Sequence, residues 1–447
     1  MVTRRQFVGL ASAATAASAL PGLAGALSAP DYSIDIAPYA LEVAPRRTIK
    51  TIAYNAQVPG PLLRFKEGEP VTIQVTNHTT NNEIVHWHGL FLSPAVDGAM
   101  EEGTPHIAPG NIASYTFTPR PAGFRWYHTH TFAGRDLKKS QYTGQHGFLY
   151  IEPRHNPAPY DQEFFVSLHD WNGSLLASDD GSMNPSYEVS TINGRTLGFG
   201  EPLRVKQGQC VLLHIVNTSP TEPHWIALAG HQLRVIALDG NPVPQPQTVP
   251  MLRLSPAERI CAIVEMNNPG VWTLGEVRKS VQARGMGIVV EYAGSNGKPQ
   301  WQQPSSLDWD YLQFADPTPP PESKAIEIPL VFESKFAGHG DLDHWLINGK
   351  SYPDTESPTL TSGQRYRLLF KNRSTDDHPV HLHRHSFELR RIQGHPETHG
   401  IMKDTVLVPA GTQLDVEFTA DNPGPTLFHC HQQDHMDMGF MMLFRYA

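Results

Sequence analysis

Apolar and polar residues alternate along short stretches of this chain, most clearly at Val71, Ile73 and Val75. A period of two marks a strand with one buried face. That stretch opens at a glycine and closes at an asparagine, and the same frame recurs twice: Gly68 to Asn77, Gly208 to Asn217 and Gly363 to Asn372. After each asparagine come a polar turn and then histidine: His86, His224, and the pair His378 and His381. A second half-motif follows, in which a glycine precedes by five residues His128, Gly275 and His429 in turn. The intervals suit one β-sandwich apiece, so the pattern predicts an all-β chain of three consecutive Greek-key sandwiches. Their expected bounds are 27–155, 156–293 and 325–447. Residues 294–324, rich in Gly, Ser and Gln and carrying Pro317-Thr318-Pro319-Pro320-Pro321, read as the linker to the third unit.

Composition agrees. At 447 residues, the chain far exceeds the ~150 per domain of ordinary proteins. Its 39 prolines, close to twice the usual ~5%, argue against long helices. A net charge of −9 gives no basic footprint for nucleic acid. Residues 1–26 read as a leader. Thr3-Arg4-Arg5-Gln6-Phe7-Val8 is a twin-arginine pattern, followed by an Ala/Ser/Gly run and the small-residue exit Ala24-Gly25-Ala26. The alternative is a transmembrane anchor, which the Ala-rich run suits less well than a Leu-rich one would. A cleaved leader predicts a periplasmic or secreted protein with no membrane attachment afterwards. Of three cysteines, Cys430 looks reserved for metal, and Cys210 and Cys261 read as two buried thiols rather than a disulfide.

The chemistry is concentrated in His429-Cys430-His431-Gln432-Gln433-Asp434-His435. A thiolate with imidazoles is the ligand set of blue copper. Neighbours on a strand face opposite ways, so Cys430 and the pair His429/His431 can serve two different metal centres. Three further clusters stand out: His86-Trp87-His88, His128-Thr129-His130 and His378-Pro379-Val380-His381-Leu382-His383. Aligned on the second glycine, the third unit keeps both imidazoles and the thiol, and the first keeps the imidazoles but has Thr129 for the thiol. The second has only Gly275-Glu276-Val277. The middle unit is therefore expected to be a spacer, with at most a role in substrate access or stability.

In these four motifs, in their order and in the repeat, the chain resembles the three-domain multicopper oxidases, the laccase-like family, in a bacterial form with a twin-arginine signal. The resemblance implies three cupredoxin-like domains and four copper ions: one type 1, one type 2 and two type 3. It assigns the type 1 copper to His378, Cys430 and His435. Type 2 falls to His86 and His381, and the type 3 pair to His88, His128, His130, His383, His429 and His431. Phe440 stands where the family places the axial neighbour of the blue copper and offers no donor, which raises the potential. Met438 or Met441 is the alternative occupant. Asp97 matches a carboxylate that relays protons to the oxygen-reducing cluster, although an aspartate before Gly98 also suits a simple turn.

The implied activity is one-electron oxidation of phenols or aromatic amines coupled to reduction of dioxygen to water. The alternative is a metal oxidase for Cu(I) or Fe(II) in copper homeostasis. It is suggested by Met436, Met438, Met441 and Met442 with Asp434 and Asp437 around His435, residues that packing of the last strand would equally explain. A non-enzymatic periplasmic binding protein of the same fold and a copper nitrite reductase are the rivals from other classes, and the complete ligand set argues against both. His146, His224, His231, His385, His395 and His399 read as surface or core residues, and Trp87 and Trp126 as packing walls beside the imidazoles.

Overall fold

A computed structural model of the protein describes residues 29–154, 159–178 and 181–447; the expected leader, 1–26, lies outside them. Among the described residues, the strands form six large sheets and one hairpin. In each unit the Gly-to-Asn strand lies between one parallel and one antiparallel neighbour. Val71–Asn77 runs between Tyr32–Ala44 and Ile112–Phe117, and Cys210–Asn217 between Gln162–Trp171 and Arg259–Glu265. Arg365–Asn372 runs between Ile326–Lys335 and Gln413–Thr419. The opposing sheets carry three antiparallel pairs: Val85–His88 with Gly123–Thr129, His224–Leu228 with Val271–Glu276, and His378–Leu382 with Thr426–Cys430.

The repeated glycine and asparagine have the same work in all three units. Gly68, Gly208 and Gly363 sit at φ of 83°, 84° and 80°, a left-handed turn that a side chain disfavours. Each asparagine donates through Nδ2 to two backbone carbonyls. Asn77 reaches Asn81 and Ile107, Asn217 reaches Glu222 and Leu254, and Asn372 reaches Asp376 and Val408, all at 2.7–3.0 Å. The asparagine thus fixes the turn that launches the next, histidine-bearing strand.

Alternation survives where one face meets another layer of its own sandwich, as in Val71–Asn77 and Arg365–Asn372. It fails in Cys210–Asn217, which is buried on both faces. There Val211, Leu213 and Ile215 fill the second sandwich. Leu212 and Val216 pack with Phe124, Trp126, Phe148 and Tyr150 of the first. The second and third units share one continuous apolar core, whereas the first has its own. The expected linker is partly absorbed into that shared core through Tyr311 and Phe314, and Tyr311 Oη donates to Glu258. Cys210 lies opposite Glu265 and Cys261 opposite His214, so the two thiols are not facing and both are free.

Candidate metal centres

The short strand Val85–His88 places His86 directly opposite His128, and His378–Leu382 places His381 opposite His429. Two antiparallel pairs, one from each end of the chain, therefore present imidazoles to each other. His86 stacks on His383 at 4.1 Å and His88 on His381 at 3.8 Å. His130 meets His429 at 5.2 Å, and His128 meets His431 at 5.1 Å. His86, His88, His128, His130, His381, His383, His429 and His431 thus form one cluster, each at most 3% exposed.

The outer nitrogens of six of these imidazoles are spoken for. Nδ1 of His86 donates to the Asp97 carbonyl, that of His128 to Thr129, that of His381 to Asp404 and that of His429 to Cys430, all at 2.7–2.9 Å. His383 Nδ1 donates to Asp97 Oδ2 at 2.9 Å, and His88 Nε2 to Asp404 Oδ1 at 3.1 Å. The inner side is different: Nε2 of His86 and His381 and both ring nitrogens of His130 and His431 find no hydrogen-bond partner. Burial first, and then the neighbouring imidazoles, hold His88, His128, His130, His383, His429 and His431 well below the ordinary histidine range. Neutral imidazoles with lone pairs aimed inward are what a metal needs, and each left unpaired would cost about 1–3 kcal/mol. The donors fit copper.

Beyond Cys430 lies a second group. His378, Cys430 and His435 bring their ligand atoms within 4.8 Å of one another, with Sγ 3.7 Å from His378 Nδ1 and 3.5 Å from His435 Nδ1. Ser374 Oγ lies 2.8 Å from His378 Nε2, and by accepting that N–H it leaves Nδ1 facing the sulfur. Phe440 is fully buried, its ring 4.6 Å from that of His378. Met441 points to the opposite side, packing with Ala99, Leu427, Met436 and Leu443, which removes it as an axial candidate. Met438 caps the helix Gln433–Asp437 and packs at the margin of the shared core.

Asp97 ends a single helical turn, Pro94–Asp97, and precedes Gly98 at φ 97°. A Cβ on Gly98 would strike the Val85 carbonyl at 1.9 Å, so the turn presses this carboxylate onto the strand that bears His86. The turn role and the site role coexist.

Several participants escaped the sequence patterns. Glu102, pushed well up by burial and by Asp97, lies 3.8 Å from His383. Trp345 covers His435 at 3.9 Å. Asp434, already part of the sequence motif and raised by burial to about 7, lines with His435 a cleft of about 390 Å³. Asp404 carries no motif, yet it serves two imidazoles. Trp126 does stack on His128, at 4.2 Å. Trp87 corrects the expectation for its type: it turns into the first core against Tyr115, Phe117 and Tyr127. The middle unit, expected to serve at most substrate access or stability, reaches the third through Arg259, which binds Asp404 through both guanidinium Nη atoms.

Three multicopper oxidase family models match residues 39–156, 162–288 and 323–447. The multicopper oxidase MmcO of Mycobacterium tuberculosis is 29% identical, the match spanning 88% of this chain and 82% of that protein. Laccase-4 of Thanatephorus cucumeris is 27% identical over 85% of this chain and 82% of its own. The crystal structure of Fet3p, a multicopper oxidase that functions in iron import, superposes with a TM-score of 0.81 at 22% identity, covering 93% of this chain and 90% of that one. With family models spread over most of its length and a cupredoxin-like fold, this chain belongs to the multicopper oxidases, four-copper oxidoreductases that use dioxygen as acceptor.

Proposed function

We propose that the protein oxidises phenols and aromatic amines one electron at a time at His435, and that the family's ligand roles fall on the residues named above. His378, Cys430 and His435 would hold the type 1 copper, His86 and His381 the type 2, and the remaining six cluster imidazoles the type 3 pair. Copper so held supplies electron acceptance at the first site and four-electron reduction of dioxygen to water at the cluster. The chain's own contribution is connection and positioning. Cys430 is bonded through the backbone to His429 and His431, so three consecutive residues join the two centres. Asp97, hydrogen-bonded to His383, is proposed to pass protons to the cluster. Asp97→Asn is then expected to slow oxygen uptake on the order of tenfold or more with copper content unchanged. Unaltered uptake at every pH tested would leave it a turn residue.

One observation carries the choice of donor. The cleft beside His435 is open and roomy enough for an aromatic ring, whereas Met436, Met441 and Met442 are buried in the cores. Three of the four thioethers that suggested a Cu(I) oxidase are thus placed for packing, and Met438 is half-buried. A second reading keeps support from the cleft wall, where Asp376, Asp377, Asp434 and Glu222 suit a cation, whether a protonated amine or a metal ion. Steady-state oxidation of a neutral phenol, an aromatic amine, Cu(I) and Fe(II) on the copper-loaded protein separates them. Turnover of the metal ions alone would reject the aromatic-donor reading.

The sandwich bounds at 27–155, 156–293 and 325–447 are part of the same proposal, supported by the three model matches. So is export by the twin-arginine route to the periplasm or beyond. No helix among the described residues is long and apolar enough to cross a membrane. N-terminal sequencing of the exported protein should read Leu27 first; an intact Met1 would argue against cleavage.

A further inference from the structure

At the meeting point of the three sandwiches lies a closed group of charges. Arg125 comes from the first unit, Asp239, Glu258 and Arg259 from the second, and Lys403 and Asp404 from the third. Each is at most 1% exposed. Three cations against three anions make the group neutral, which is what so deep a burial requires. Asp404 is its exit toward the cluster. Arg259 Nη1 and Nη2 donate to its two oxygens at 2.6 and 2.5 Å, and Asp239 Oδ2 accepts from the backbone N–H of Asp404 and Thr405 at 3.3 and 3.2 Å. Besides the Thr405 hydroxyl and the Leu382 N–H, Asp404 accepts from two imidazoles. Its side chain takes the Nε2–H of His88, from the first unit, and its carbonyl takes the Nδ1–H of His381, from the third. Each contact fixes a tautomer, leaving His88 Nδ1 and His381 Nε2 facing inward. The fit is close: a Cβ on Gly89 would lie 2.6 Å from Asp404 Oδ2 and 2.8 Å from Arg259 Nη2.

We propose that Arg259 is a positioning residue for the oxygen-reducing cluster, by which the middle sandwich, bearing none of the proposed ligands, sets the orientation of one imidazole from each of its neighbours. A planar fork is needed for this, since two parallel hydrogen bonds hold the carboxylate in one plane and an ammonium would hold only a point. Lys403 provides the contrast. It lies in the same network, equally buried, but its ammonium binds Asp239 and Glu258 at 3.0 Å each rather than the carboxylate of Asp404, its neighbour in the chain. Loss of Lys403 should loosen the junction; loss of Arg259 should loosen the cluster.

The inference rests on His88 and His381 being cluster ligands, and the experiment keeps the two apart. Copper-loaded wild type, Arg259→Met, Arg259→Lys, Lys403→Met and His88→Ala are titrated with EDTA. Total copper per chain, the blue band and the electron paramagnetic resonance of the cluster copper are followed together. Removal of an outer partner of a metal ligand costs about 10- to 100-fold in metal affinity. Asp404 is that partner and Arg259 acts through it, so Arg259→Met should release cluster copper at about 10-fold lower EDTA, the near end of that range, with the blue band intact, and Arg259→Lys should fall between it and wild type. Lys403→Met should show no such selectivity. Wild-type resistance to EDTA in Arg259→Met would overturn the proposal, as would parallel loss of blue and cluster copper. If Arg259→Met does not fold, Arg259→Lys and Asp404→Asn are judged by the same readings. Retention of cluster copper by His88→Ala would overturn the ligand assignment itself. Its loss there beside a normal Arg259→Met would overturn only the role of Arg259.

Discussion

The second and third sandwiches build the same pocket and fill it with opposite chemistry. In the third, His378 lies two residues before Val380, which faces Cys430 across the ladder. In the second, His224 lies two residues before Ile226, which faces Glu276. The correspondence extends outward, with Cys430 N–H donating to the Phe440 carbonyl and Glu276 N–H to that of Met286. His224 donates to Asp170 at 2.8 Å and to Glu276 at 3.0 Å. Burial alone would strip its proton, but Asp170 and then Glu276 outweigh burial and raise it to about 9. His378 meets the Ser374 hydroxyl instead, and burial lowers it to about 3. One imidazole is a cation locked in an ion group; the other keeps a lone pair. The first sandwich gives a third version, with Glu83 bridged to Ile107 and accepting from Gln145 at 2.7 Å. The partner across the strand, not the fold, decides whether such a pocket can hold metal.

The sharpest break in that contrast is Cys430→Ser. The variant keeps shape and burial but removes the thiolate, so the blue colour and turnover should fall to background, with about 1–3 kcal/mol lost to a poorly partnered hydroxyl. Visible absorption checks it, and a persistent intense blue band would mean that the thiol belongs to no copper.

The mirror experiment is Asp170→Asn in the second sandwich. Breaking a buried ion pair there should cost about 3–5 kcal/mol without altering the blue band. The pH dependence follows from the sign of each shift. His224, raised to about 9, stabilises fully below its unfolded value near 6.5 and loses this as pH climbs through 9. Asp170 and Glu276 are held below the carboxylate range because His224 outweighs their burial. Their stabilisation is present above about pH 4 and fades under acid. The cost of Asp170→Asn, measured by denaturant unfolding, should thus be greatest between about pH 5 and 6.5 and shrink toward pH 10. A cost that does not vary with pH would show that His224 is not charged in the fold.

What the sequence revealed, and what it did not, divides along the same line. The repeating glycine and asparagine and the four His-x-His motifs are local, so their spacing alone exposes them. Asp404 and Arg259 lie 145 positions apart in unremarkable surroundings, and only the docking of three sandwiches gives them meaning. The alternation blurred in Cys210–Asn217 because a neighbouring unit buries its outer face. Trp87 and Trp126 look equivalent beside their histidines, yet strand alternation sends Trp87, one residue from His86 and His88, to the core and Trp126, two residues before His128, to the cluster. The terminal methionines carry an ambiguity of type in the sequence, and burial separates Met436, Met441 and Met442, packed in the cores, from the half-buried Met438.

The smallest expected effect tests the wall of the pocket. Phe440→Met would offer a thioether beside His378, favouring Cu(II) and lowering the blue-site potential on the order of a hundred millivolts, roughly 2.3 kcal/mol for one electron. Bulk and apolarity change little, so stability should move by less than about 1.5 kcal/mol. A redox titration of the blue band decides it; an unchanged potential would point to Met438 as an axial ligand already in place.

The imidazole cluster has one further consequence, which concerns time. His130 leaves the ribosome long before His381, so during synthesis half of the ring must wait for the rest of the chain. Contacts this distant in sequence form late, after most of the closure entropy has been met. A cation bound across the finished ring then ties the two ends of the chain together, as a cross-link would, and its binding free energy becomes folding free energy. Metal loading and completion of the fold are thus thermodynamically linked.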